Sequence, residues 1–166
     1  MQRFLILIVV LFLASSPAIA DVYYEKAKKS YGAEKYRKAQ KYLKKSLKNE
    51  PENIPAQSLL AETFSAQKNF KGAIKIYKDL LKKNPDNIRI LSGLGNVYSK
   101  GEFYRDAVGV YNIILEKEPD NIMALYMLGM NKALCMDLDE AYSVYRRLKK
   151  KDQKLAANLL HQIQGF

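Results

Sequence analysis

The sequence predicts an all-α fold, an array of antiparallel helix pairs set in series and closed by one further helix at the C-terminus. Three observations predict it. The same punctuation recurs at intervals of 34 residues, as Pro51-Glu52-Asn53-Ile54, Pro85-Asp86-Asn87-Ile88 and Pro119-Asp120-Asn121-Ile122. A fixed period in this range is the signature of stacked supersecondary units. Between the prolines, each unit carries two runs with apolar residues at helical spacing. After the last unit comes a short amphipathic stretch, residues 152–166.

The first twenty residues have the layout of a secretory signal peptide. Met1, Gln2 and Arg3 are a short basic start, Phe4 to Ala14 are uniformly apolar, and Ala18-Ile19-Ala20 places small residues at the outer positions of an A-x-A cleavage site. The alternative is an uncleaved anchor. An eleven-residue apolar run falls short of the roughly 20 needed to span a bilayer. Cleavage is therefore expected after Ala20, giving a soluble periplasmic or secreted chain that begins at Asp21.

The repeats follow in register. The first unit reads Tyr23, Ala27, Tyr36, Ala39, Leu43, Leu47 and Pro51; the second Leu60, Ala61, Phe64, Phe70, Ala73, Tyr77, Leu80, Leu81 and Pro85. The third reads Leu91, Leu94, Gly95, Tyr98, Tyr104, Ala107, Tyr111, Ile114, Leu115 and Pro119. The fourth reads Leu125, Leu128, Gly129, Leu138, Ala141, Tyr145 and Leu148. Small residues recur where two helices approach closely, and large ones fill the space beyond. Each proline stops a helix, and the Asp/Glu-Asn pair after it supplies acceptors for the open N–H groups of the next.

In the closing stretch, Asp152 is placed to cap a helix with Leu155, Ala156, Leu159, Leu160 and Ile163 on one side. The boundaries that result are 1–20 for the leader, 21–53, 54–87, 88–121 and 122–151 for four repeats, and 152–166 for the cap.

Period, small residues, aromatics and prolines together resemble the tetratricopeptide repeat, over nearly all of the chain after the leader. That resemblance implies a right-handed superhelical solenoid with a concave and a convex surface. Two departures stand out: Ser30 and Lys132 occupy a position where an aromatic is usual.

Chemistry is absent from the pattern. The lone histidine, His161, has no Cys, His or Asp at ligand spacing, and no phosphate-loop, nucleophile-elbow or zinc-protease motif occurs. Gly93 and Gly95 sit inside a repeat helix, as helix contacts. No enzyme activity, cofactor or metal site is expected. The single cysteine, Cys135, rules out an internal disulfide, and its apolar setting predicts a buried thiol.

Without Arg3 the chain carries 27 Lys and Arg against 17 Asp and Glu, a net +10. Such a balance favours anionic partners, and export argues against nucleic acid. One function class is thus a basic protein docking on anionic lipid or cell wall through its Lys-rich first repeat.

The other class is a protein-interaction adaptor serving an envelope assembly. In the family the first helix of each unit lines the concave face and holds partner peptides. By that resemblance the inward residues are Tyr24, Lys28 and Tyr31, then Pro55, Ser58, Glu62 and Ser65, then Arg89, Ser92, Asn96 and Ser99, then Met123, Tyr126, Met130 and Ala133. A family clamp of Lys, Arg and Asn for a C-terminal carboxylate falls on Tyr24, Lys28, Leu59, Arg89 and Gly93, and only Arg89 has the required type. The stretch Met123 to Met130 is apolar beyond what stacking requires, with Met127 joining Met123, Tyr126 and Met130. The expected partner-binding residues are Tyr24, Lys28, Arg89, Ser92, Asn96, Met123, Tyr126, Met127 and Met130. The closing helix, through Leu160, is the element expected to compete for that surface.

Overall fold

The computed structural model describes residues 17–165. Among them the chain is helical throughout, without a strand: α1 (Pro17–Gly32), α2 (Tyr36–Asn49), α3 (Ile54–Ala66), α4 (Phe70–Lys83), α5 (Ile88–Lys100), α6 (Tyr104–Lys117), α7 (Ile122–Leu134), α8 (Leu138–Lys149) and α9 (Gln153–Ile163). The all-α reading of helix pairs plus a closing helix holds. The apolar run of the expected leader, Phe4 to Ala14, lies outside the described residues. No helix among the described residues is long and apolar enough to cross a membrane.

The 34-residue punctuation acts as a set of helix caps. Asn53, Asn87 and Asn121 accept from the backbone N–H groups of Ala56 (2.9 Å), Ile90 (3.2 Å) and Ala124 (2.9 Å). Asp152 does the same for Leu155 at 2.8 Å. Each cap satisfies an open donor and contributes about 1 kcal/mol. Two caps are themselves held, since Asn53 donates to Glu50 at 2.8 Å and Asn121 to Glu118 at 2.7 Å.

A second periodic device joins the two helices of each pair. Glu34, Lys68, Glu102 and Met136 adopt φ of 57°, 60°, 64° and 62°. They too stand 34 residues apart. After α5, the Phe103 N–H donates to the Tyr98 carbonyl (2.9 Å) and the Glu102 N–H to Ser99 (3.1 Å), so the left-handed residue closes the helix end.

Residues 17–76 and 77–165 form two compact units. In the first, Ala27, Leu43, Ala56 and Leu59 are buried together, with Tyr24, Tyr31, Tyr42, Leu47 and Leu60 packed around them. The rings of Tyr23 and Tyr42 stack at 6.3 Å where α1 folds back on α2. Ser46 reaches across the same pair and donates to the Ala20 carbonyl at 2.9 Å. α1 therefore starts ahead of the expected cleavage point and includes Ala20, which is fully buried.

In the second unit the small residues of the repeat pattern meet large ones. A Cβ on Gly95 would stand 2.8 Å from the Tyr111 ring, and one on Gly93 2.5 Å from Tyr77. A Cβ on Gly129 would stand 2.6 Å from Leu159 of α9, so the closing helix seats on the glycine face of α7. Leu159, Ala156 and Ile163 are buried there, whereas Leu160 is only half-buried. Each large apolar side chain buried in this way contributes about 1.5–3 kcal/mol.

Candidate functional site

Two helices of the second unit present matching rows of side chains. α5 buries Ile90, Leu91, Leu94, Gly95, Val97 and Tyr98. At 100° per residue this leaves Arg89, Ser92, Gly93 and Asn96 on the opposite stripe; Arg89 and Asn96 are exposed, Ser92 and Gly93 half-buried. α7 buries Ala124, Leu125, Leu128, Gly129, Asn131 and Ala133, and its corresponding stripe is Met123, Tyr126, Met127 and Met130. The two stripes are one repeat apart, so Met123 stands in register with Arg89, Tyr126 with Ser92, Met127 with Gly93 and Met130 with Asn96. One row is polar and the next apolar.

The polar row is a row of donors. Asn96 Oδ1 accepts the Tyr111 hydroxyl at 2.8 Å, which leaves the two amide N–H groups of Asn96 to act outward. Arg89 offers only donors. Burial pushes the Tyr111 hydroxyl far above its usual range, so it remains a donor to Asn96 at any physiological pH.

The rows are tied together beneath the surface. Asn131 is fully buried, accepts the Ser99 hydroxyl at 2.9 Å and donates to the Met127 carbonyl at 2.8 Å. Both ends of this amide are satisfied, which makes a buried polar group a fixed link between α5 and α7. Ser99 is thus engaged with Asn131, and Ala133 is buried and does not line the surface as the repeat register alone suggests. Sequence reasoning missed Asn131; its signal was a polar residue in a run of apolar ones.

The closing helix leaves the apolar row open at its outer end. Met123 is 60% exposed and its neighbour Ile122 38%, while Tyr126, Met127 and Met130 are half-buried. α9 seats on the Gly129 side of α7 through Leu159.

Lys132 accounts for one departure from the repeat pattern. Its ammonium binds Asp137 at 2.9 Å and also Glu140, with the side chain 16% exposed. Burial works against its charge, but hydrogen bonds to Glu140 and Asp137 outweigh this and hold it above its ordinary value. An ion pair stands where other repeats place an aromatic. Nearby, Cys135 is half-buried at the end of α7, not buried as its setting suggests, and lines a depression of about 240 Å³ with Arg105, Val108, Lys132 and Asp137.

Tyr24 and Lys28 belong to the first unit. Lys28 pairs with Glu25 at 2.6 Å and lies 5.0 Å from the centre of the half-buried Tyr24 ring. Tyr31 packs edge-on against Tyr36, and burial, with Glu62 and Tyr36 adding to it, raises its hydroxyl. Ser65 is buried and its hydroxyl makes no hydrogen bond among the described residues.

Models of the tetratricopeptide repeat match residues 30–97 and 64–128 of this chain, and a second such model matches residues 123–163. No curated protein matches the sequence. Among solved structures, a tetratricopeptide repeat protein from Parabacteroides merdae is similar with a TM-score of 0.72 and 21% identity, over 89% of this chain and 61% of that one. The chain thus spans about three-fifths of that relative's length. MamA from Desulfovibrio magneticus, residues 41 to the end, is similar with a TM-score of 0.71 and 16% identity, over 88% of this chain and 93% of that one. YrrB, a tetratricopeptide repeat protein with an unusual peptide-binding site, gives a TM-score of 0.63 and 18% identity, over 85% of this chain and 82% of its own. At these identities the likeness is one of fold.

Proposed function

The chain belongs to the tetratricopeptide repeat family, and on that premise we propose that it is a non-enzymatic adaptor whose α5 and α7 rows hold a segment of a partner protein. The fold is a protein-interaction scaffold, and such proteins are generally adaptors rather than catalysts. YrrB, of the same fold, has a peptide-binding site, which supports the reading.

The observation that carries it is the pairing of an exposed Met123 on an apolar row with the donors Arg89 and Asn96 one repeat away. Flexible thioethers accept apolar side chains of differing shape. Burying three or four such side chains contributes roughly 5–10 kcal/mol, at about 1.5–3 each. Association costs of about 4–15 kcal/mol oppose this. Apolar anchoring alone therefore binds weakly, and the donor row supplies the rest. The partner segment carries apolar residues for Met123, Tyr126 and Met130 and acceptors, a carboxylate or main-chain carbonyls, for Arg89 and Asn96.

The site acts after export, with the leader removed and the chain in the periplasm or outside the cell, as part of an envelope assembly. A photo-crosslinking residue at position 123, tested in cells, is expected to trap discrete proteins, and Tyr126→Glu with Met130→Glu to abolish the adducts. A crosslinker at Lys150 is the control. The same adducts from both positions, or adducts that survive the double change in a folded protein, would sink the reading.

A further inference from the structure

The first pair of helices carries a second surface, remote in character from the Met and donor rows. α2 holds Arg37, Lys38, Lys41, Lys44, Lys45 and Lys48 and no carboxylate. At 100° per residue these six side chains fall within an arc of about 120°. All six are exposed, and the opposite side buries Ala39, Leu43 and Ser46. The charge is sorted onto one face.

α1 extends that face. Val22, Lys26 and Lys29 share one side of it, all exposed, with Val22 at 51%. The join lies at the stacked rings of Tyr23 and Tyr42. Lys26 stands 5.9 Å from the Tyr23 ring centre, Lys45 5.1 Å from the same ring, and Lys38 6.0 Å from that of Tyr42. The acidic Glu25, at the edge of this side, pairs with Lys28. At one end of the stripe, Lys35, Arg37 and Lys38 line an open depression of about 470 Å³ together with Glu34, Tyr36 and Gln67.

We propose that this face docks on a bilayer containing anionic phospholipid. Three features select that partner. Eight like charges on one face, with carboxylates only at its edges, Glu25 paired to Lys28 and Glu34 at the end of the stripe, fit a continuous anionic surface, where each lysine adds attraction. A partner protein held at a fixed register would leave alternating charges or shape, and the stripe has neither. Tyrosine rings beside lysines, with an exposed valine next to them, match the boundary between headgroups and chains, where amphipathic side chains settle. Finally, the apolar run Phe4 to Ala14 leads in sequence directly into α1, the helix that bears Val22, Lys26 and Lys29. In sequence the apolar run precedes the basic face, and an apolar stretch and a polybasic patch are two signals that together hold a protein at a membrane. Without the leader the face keeps its charge and the docking becomes reversible.

The test is co-sedimentation of the full chain with vesicles of one part phosphatidylglycerol to two parts phosphatidylcholine, against vesicles of phosphatidylcholine alone. Partitioning through the apolar run is common to both vesicles, so the basic face is read from the excess of binding to the anionic ones. Lys41→Glu, Lys44→Glu and Lys48→Glu together are expected to lower binding to the anionic vesicles at least about tenfold, from the attraction each lysine adds near such a surface. The same residues changed to Gln give a smaller loss in the same direction. Lys78→Glu, Lys150→Glu and Lys154→Glu, with the same net charge, are expected to change binding less than about twofold. Equal losses in the two triple variants would reduce the effect to net charge and overturn the proposal. So would the absence of any excess binding to the anionic vesicles, or displacement from them by soluble polyglutamate at equal charge, which would make an acidic protein the partner.

Discussion

The Ser46 hydroxyl donates at 2.9 Å to the Ala20 carbonyl, and both residues are fully buried. Ala20 is also the last residue of the expected leader, so the structure of the whole chain uses an atom that the mature chain would lack. Removal of the first twenty residues strips one turn from α1 and leaves Ser46 without this acceptor. In a chain that retains Ala20, Ser46→Ala is expected to cost about 1 kcal/mol, the net worth of one buried hydrogen bond. In a chain beginning at Asp21 the same change should be neutral or stabilising. Urea unfolding of the four proteins measures this, and an equal cost in both backgrounds would show that the bond plays no part.

Gly95 and Gly109 lie in neighbouring helices with opposite surroundings. A Cβ at Gly95 would meet the Tyr111 ring at 2.8 Å, and that ring is fixed by its bond to Asn96. Gly95→Ala is expected to cost about 1–3 kcal/mol, as overpacking does. A Cβ at Gly109 meets nothing within 4 Å. Gly109→Ala removes a flexible residue from the interior of α6 and should stabilise by about 0.5–1 kcal/mol. Thermal melts should move in opposite directions.

The left-handed turn positions offer a further gain. Glu102 and Met136 sit at φ of 64° and 62°, where a Cβ is unfavourable by about 1–2 kcal/mol. Glycine removes that strain but enlarges the unfolded ensemble, which takes back about 0.4–1 kcal/mol. Glu102→Gly and Met136→Gly are each expected to stabilise by up to about 1 kcal/mol and, being in separate repeats, to add. Chemical denaturation of the single and double variants reads both the sign and the additivity.

What could be read from the sequence was whatever the period enforces. Asn53, Asn87, Asn121 and Asp152 cap as their positions imply, and Leu91, Leu94, Gly95, Tyr98 and Ala107 are buried because equivalent residues must fill equivalent spaces. The misses concern single residues that break the pattern. Lys132 reads as a departure until Asp137 and Glu140 are placed beside it, and Asn131 reads as an ordinary polar residue until Ser99 is. Leu159 and Leu160 are adjacent on one amphipathic helix, and the seating of Leu159 on Gly129 becomes visible only in the packing. The turn residues Glu34, Lys68, Glu102 and Met136 share a conformation without sharing a residue type, so no glycine announces them. For the Met123 row, the exposure of Met123 depends on where α9 lands, which the repeat period does not specify.

Lys132 makes stability depend on pH at the alkaline end. Its folded value is held above the ordinary 10.5 because the hydrogen bonds to Glu140 and Asp137 outweigh the burial that opposes its charge. A lysine raised in this way stabilises fully below the unfolded value and loses that contribution as pH climbs through the folded one. Lys132→Met keeps the apolar stem and removes the charge. At pH near 8 the change is expected to cost about 1 kcal/mol, limited because water screens the partly exposed Asp137 and Glu140. The gap between the two proteins should narrow once pH passes about 10.5, as the ammonium of the parent protein discharges. Paired urea titrations at pH about 8 and about 11 measure the difference directly, with the parent's other alkaline losses common to both curves. A gap that stays constant would show that the charge paired with Asp137 and Glu140 does not account for it.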